Sequence, residues 1–229
     1  MATRARRTER RRQVLSREQI IDTAIELLDA GGEGGLTVRA LTERLATGSG
    51  AIYYHVGTRD ELLDTATETV VAAALATEPS RTPATPEDEI RVVALGLFDA
   101  VAVHPWLATR LAVQLTRNPW GPVTVGIFEK IGRQVRALGV PHAIWFVAAS
   151  TLVHYILGAV SQTGMGGDPP DAETDREKFF EATSTAWQEL DPAGYPFMHA
   201  ISGQMREHDD REQFLAGIAL ILGGIANLP

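Results

Sequence analysis

A chain of 229 residues that is 45% hydrophobic has room for one small and one medium globular domain with a substantial core. It contains no cysteine, which excludes a disulfide framework, a cysteine-ligated zinc finger and a thiol nucleophile, and suits a reducing compartment. The net charge of −8 is unevenly spread: residues 1–60 carry ten arginines against eight acidic residues, and the remainder is net −10, so the two parts suit different partners.

The amino-terminal stretch, residues 1–15, reads as a basic arm, because residues 1–17 hold seven arginines and one glutamate. It has no apolar run and is not a secretory signal, so a cytoplasmic protein is expected. Such an arm can lie along phosphates or enter a minor groove; in the absence of nucleic acid the same composition describes a solubilising tail. A first helix is predicted from the capping box Ser16–Gln19, with Ile20, Ile21, Ala24, Leu27 and Leu28 on one face and Gly31-Gly32 as its end.

From Leu36 to Asp64 the sequence LTVRALTERLATGSGAIYYHVGTRDELLD places two short helical patterns around a glycine-bearing turn. Val38, Leu41 and Leu45 form one inward stripe, and Ile52 and Val56 continue it one turn apart on the next segment. At roughly 100° per residue, Gly50 and Tyr54 then point away from Ile52, with Ala51 and Tyr53 to either side. A helix with small residues outward and tyrosines beside them suits the major groove: the backbone approaches base edges, an alanine methyl meets a thymine methyl, and phenols reach phosphates. Taken singly, Tyr53 and Tyr54 also fit ordinary packing roles. Ser49 is expected to cap this reading helix.

A second capping box, Thr58–Glu61, starts a fourth helix through Leu62, Leu63, Ala66, Val70, Val71 and Ala74. The proline-rich segment from Thr77 to Pro86 then marks a domain boundary, giving a helix-turn-helix domain with its fourth helix over residues 16–76 and a second domain over residues 87–229. The second domain reads as helices throughout, starting with the stripe Ile90, Val93, Ala94, Leu97 and Val101. Breaks are expected at His104-Pro105, Asn118-Pro119, Gly139 to Pro141, Gly164 to Pro170 and Asp191 to Pro196. Ala143 to Val160 contains no charge; Ser150, Thr151 and His154 interrupt it, and it reads as a helix buried between the bundle and a partner subunit rather than a membrane span. A final helix follows the capping box Asp209–Glu212, with Phe214, Ile218, Ile221, Leu222 and Ile225 together and Gly217 and Gly224 permitting close packing.

Leu36-Thr37, the run Ile52-Tyr53-Tyr54-His55-Val56 and Asp60-Glu61-Leu62-Leu63 together resemble the DNA-binding domain of the tetracycline-repressor family, and His104-Pro105-Trp106-Leu107-Ala108 with the final helix resembles its regulatory domain. The chain departs from the family in its turn, where Ala46-Thr47 stands in place of the usual glycine and small apolar residue. The resemblance implies an all-α fold: a three-helix helix-turn-helix domain joined by a connecting helix to a larger ligand-binding and dimerisation domain. It implies DNA contacts from Thr37, Val38, Arg39, Ser49, Gly50, Ala51, Tyr53, Tyr54, His55 and Arg59, with Arg39 reading a base edge and Arg59 touching phosphate at a helix N-terminus. An ion pair with Glu43 and a solvent-facing position are the plainer alternatives for those two arginines.

It further implies a homodimer formed by Ala143 to Val160 and Glu212 to Leu228, a double-stranded palindromic operator, and repression relieved by a small-molecule inducer. A pocket for that inducer would draw on Phe98, Trp106, Trp120, Trp145, Phe146 and Tyr155 for lining and on Gln114, His142 or His154 for a polar handle; each aromatic also fits a core role. No cofactor or metal is expected: His142 and His154 would lie about 120° apart on one straight helix. No nucleophile motif or phosphate loop supports an enzyme. A structural DNA-binding protein without a ligand is the remaining alternative, separable by its lack of sequence preference.

Overall fold

Side-chain caps start several of the helices in the computed structural model, which describes residues 15–77, 82–163 and 172–227. Among the described residues there is no strand. The basic arm lies almost wholly at residues 1–14, outside the described residues, as does the expected break at Gly164 to Pro170.

Helix α1 (Arg17–Gly35) opens with the Ser16–Gln19 capping box, each side chain satisfying the other's backbone amide. Gly31-Gly32 kinks the helix instead of ending it, with Gly32 at φ +59, and a last turn continues to Gly35. α2 (Val38–Leu45) is capped by the Thr37 hydroxyl, which accepts from the Ala40 amide at 3.1 Å. α3 (Ser49–Val56) starts with Gly48 at the cap and Ser49 as its first residue, so the expected serine cap is displaced by one position and no side-chain cap forms. α4 (Arg59–Ala76) begins with the reciprocal Thr58–Glu61 box, 3.2 and 2.7 Å.

The chain divides by contacts between Ala66 and Thr67, inside α4, so this helix starts in one unit and ends in the other. In the first unit α1, α2 and α3 pack pairwise over Ile20, Ala24, Leu28, Leu36, Leu41 and Ile52, each at most 1% exposed. Burying a side chain of that size contributes about 2 kcal/mol, so a handful of residues holds the whole head together. Val38 departs from the expected stripe: it is 43% exposed, because α2 turns Leu41 inward and leaves its first turn on the surface.

The second unit is a helical bundle: α5 (Pro86–Val103), α6 (Trp106–Arg117), α7 (Pro122–Ala137), α8 (Trp145–Thr163), α9 (Ala172–Gln188), α10 (Pro196–Ile201) and α11 (Asp210–Ala226). Short 3-10 turns precede α8, at His142–Ile144, and follow α10, at Ser202–Met205. The expected breaks at Pro105, Pro119 and Pro141 fall between helices, and the one at Asp191 to Pro196 spans the gap after α9, with Pro196 opening α10. α8 is the central element, packed against α5, α6, α7 and α11 through Ala148, Leu152, Val153, Ile156 and Val160. With its leading turn it is apolar enough by length and composition to cross a membrane, at mean hydropathy 1.8. Its contacts are those of a bundle's core helix, and Phe146 and Val147 stay outside them at 75% and 58% exposure.

Candidate nucleic-acid interface

The turn between α2 and α3 is made without the usual glycine. Ala46 adopts the left-handed conformation, φ 49 and ψ 43, and its amide returns to the Thr42 carbonyl, as does that of Thr47 at 3.2 Å. A left-handed alanine costs roughly 1–2 kcal/mol of backbone strain. Gly48 then supplies the extended cap of α3 and Gly57, at φ +76, ends it. A Cβ on Gly57 would stand 2.2 Å from a Glu61 carboxylate oxygen, so this glycine also clears the space in which Glu61 caps α4. The sequence carried this signal as a glycine between one helix and the next cap, yet Gly57 was not among the expected functional residues.

The resulting face of α3 is open. Ile52 and Val56 are buried at 1% and 6%, while Ser49, Gly50, Ala51, Tyr54 and His55 are exposed, Tyr54 at 86%. Tyr53 is half-buried, and the His55 ring meets Tyr54 edge-on with centroids 5.4 Å apart. From α2, Thr37 and Val38 reach the surface beside Arg39, whose side chain is 87% exposed and whose Nε donates to Glu43 Oε1 at 2.7 Å. An exposed pair of this kind contributes at most about 1 kcal/mol, so exchanging the carboxylate for a base edge is inexpensive. Glu61 is also electrostatically set: the Thr58 backbone amide holds its carboxyl below the usual carboxylate range.

The Arg59 side chain bonds back to the main chain of the head. Its Nε donates to the Leu36 carbonyl at 2.7 Å, one Nη donates to the Glu33 carbonyl, and the other lies 3.6 Å from Asp60.

In the regulatory unit a cavity of about 1150 Å³ lies between α5, α8, α9 and α11. One wall is a slab of three rings: Phe214 stacks on Phe98 and on Tyr155, with centroids 5.1 and 5.9 Å apart. The Tyr155 hydroxyl donates to the Phe214 carbonyl at 3.1 Å, and burial pushes its phenol up. It lies directly over Gly217, where a Cβ would come 2.0 Å from the hydroxyl. Gly217 thus does permit a close approach, whereas Gly224 faces open space.

Of the residues expected to line a pocket, Phe98 and Tyr155 do so, with His154 beside them. Trp106 and Gln114 are buried in the bundle at 6% and 7%, outside that lining. Trp120 and Phe146 are 80% and 75% exposed, and His142 packs edge-on against Trp145, whose Nε1 donates to the Val140 carbonyl at 2.6 Å. These four follow the local turns around Pro119 and Pro141 and do not reach the cavity. Phe179, Phe180 and Trp187 of α9 also line it, and none of the three is among the residues expected there. Their signal was an aromatic spacing of seven and eight residues on one amphipathic helix. Among the described residues no group of three or more histidine or acidic side chains converges on a metal position.

A helix-turn-helix with a cleared outward face, followed by a helical domain with an aromatic-walled cavity, is the architecture of a DNA-binding regulator. Residues 20–66 match the family described as "Bacterial regulatory proteins, tetR family", and residues 79–228 match "Tetracyclin repressor-like, C-terminal domain". The chain belongs to the tetracycline-repressor family of transcriptional regulators. It is similar to the transcriptional regulator SCO7222, a TetR from Streptomyces coelicolor, at 56% identity and a TM-score of 0.81, over 93% of this chain and 98% of that one. An HTH-type transcriptional regulator of Saccharopolyspora erythraea is 28% identical over 96% of this chain and 91% of its own length. The fold alone is shared with ActR of S. coelicolor, solved in complex with actinorhodin, at 23% identity and a TM-score of 0.73 over 92% of this chain and 95% of that one.

Proposed function

We propose that the protein is a cytoplasmic repressor that binds a palindromic operator as a homodimer and leaves it when a small apolar or amphipathic molecule occupies the regulatory domain. The observation that carries this reading is the pairing of an unobstructed reading face on α3 with a large aromatic-walled cavity in the same chain. Thr37, Val38, Arg39, Ser49, Gly50, Ala51, Tyr53, Tyr54 and His55 are the contacts proposed for DNA. Arg39 reads a base, the tyrosines and hydroxyls reach phosphate, and the small residues allow close approach. Phe98 and Tyr155 are proposed to meet the ligand.

The dimer is proposed to form through α8 and α11, which leave apolar side chains uncovered: Phe146 and Val147 on one, Leu220 at 79% exposure on the other, next to exposed Gly223 and Gly224. Two reading helices held about 34 to 36 Å apart match half-sites one DNA turn apart. A ligand shifts binding only by its differential affinity for the two head spacings, so a tenfold release takes about 1.4 kcal/mol. Native mass spectrometry on a duplex recovered by the protein tests the assembly: two protomers per duplex are expected, and one protomer per duplex overturns it. Release of that duplex by members of a panel of amphipathic aromatic molecules is expected; indifference to every ligand that measurably binds the protein removes the inducer part.

A further inference from the structure

Arg59 stands where a cation at the first turn of α4 would be expected to face the DNA backbone, yet its guanidinium is turned back into the head. The planar fork closes on two main-chain carbonyls three residues apart, those of Glu33 and Leu36, at the point where α1 ends and the chain turns into α2. Glu33 lies in the last turn of α1 and Leu36 is its cap residue, and that turn carries no basic residue of its own. A cation at a helix C-terminus meets the last carbonyls and the negative end of the helix dipole. Leu36, the cap residue, is fully buried, and the next residue, Thr37, is the N-cap of α2. At the other end of α1, Arg17 reaches Thr65 of α4 at 3.4 Å. The first two turns of α4 are therefore held at both ends of α1, and the stronger hold sits beside the helix that carries Thr37, Val38 and Arg39.

We propose that Arg59 is a positioning residue for DNA binding: it fixes the α1–α2 corner on the first turn of α4, and so sets the angle at which α2 and α3 meet the groove, without touching phosphate. The fork is what this role uses. Lysine keeps the charge but presents a compact point donor instead of a planar fork, which serves a phosphate well and a two-carbonyl cap poorly.

The test compares the full-length protein with Arg59→Lys and Arg59→Gln. Each is titrated against one duplex that the wild-type protein selects from random DNA, across a salt series, at a temperature where circular dichroism shows every protein folded. Both variants are expected to bind roughly tenfold more weakly, with the slope of log affinity against log salt unchanged. Amide exchange is expected to quicken at residues 36–41. A phosphate contact gives a different result: Arg59→Gln lowers the slope by about 0.9 per protomer and Arg59→Lys restores both slope and affinity, which overturns the proposal. Wild-type affinity in both folded variants overturns it too, since the cap would then serve stability alone. Arg59→Lys retains the aliphatic stem and the charge, so the comparison stands if Arg59→Gln does not fold.

Discussion

The two units of this chain expose their function in opposite ways. The reading head is built from short helices whose ends are fixed by nearest-neighbour caps and whose outward residues follow from an angle of about 100° per residue. Ser16, Thr37 and Thr58 each bond an amide three residues on, and Ile52 and Val56 dictate where Tyr54 and Gly50 must point. The regulatory unit makes its cavity from residues 50 to 120 positions apart, such as Phe98, Tyr155 and Phe214. A surface set by local periodicity is written in the sequence; a cavity set by which helices meet is not.

The largest effect separates the two units most sharply. Phe214→Ala removes a ring that is 2% exposed and stacks on both of its neighbours, and is expected to destabilise the protein by about 3–5 kcal/mol. Denaturant melting followed by circular dichroism reads it, and a change below about 1 kcal/mol would mean that the slab is not part of the packed bundle. In the head, Arg39→Ala is expected to cost about 1–3 kcal/mol of binding and to relax the preference at one base position. Binding across a set of single-base operator variants measures it; an unchanged preference at every position removes Arg39 as a base reader.

Part of the head's departure from expectation comes from residues that reach beyond their own turn of helix. Arg59 lies 23 residues from the Leu36 carbonyl it caps, and Gly57 matters through a carboxylate on the next helix. Gly31-Gly32 read as a stop but served as a kink, because the chain needed one further turn before the buried Leu36. In the regulatory unit the breaks at proline were correctly placed, while composition gave Trp120 and Phe146 the same standing as Phe98. Nothing local distinguishes an aromatic that ends on the surface from one that faces a cavity.

A smaller effect probes the strained turn. Ala46→Gly relieves a left-handed alanine at the cost of a more flexible unfolded chain, and is expected to raise the stability of the head by about 0.5–1 kcal/mol. Thermal melting of the full chain checks it, and a loss of stability would show that the turn is not strained. The smallest concerns pH. Glu61 has its carboxyl lowered in the folded state, so its contribution is present above its ordinary pKa of about 4.3 and is lost as pH falls through the lower folded value. Glu61→Gln is expected to flatten that acid limb of the stability curve; a limb of unchanged steepness would assign it to other carboxylates.

The central claim is that the open face of α3 reads sequence in a two-fold symmetric site. Selection of the purified full-length protein against random duplex DNA at physiological salt, followed by sequencing of the bound fraction, tests it most directly. The expected result is a palindrome with half-sites about one helical turn apart. A bound fraction with no enriched sequence, lost on modest addition of salt, would contradict it and reduce the helix-turn-helix to a non-specific electrostatic contact.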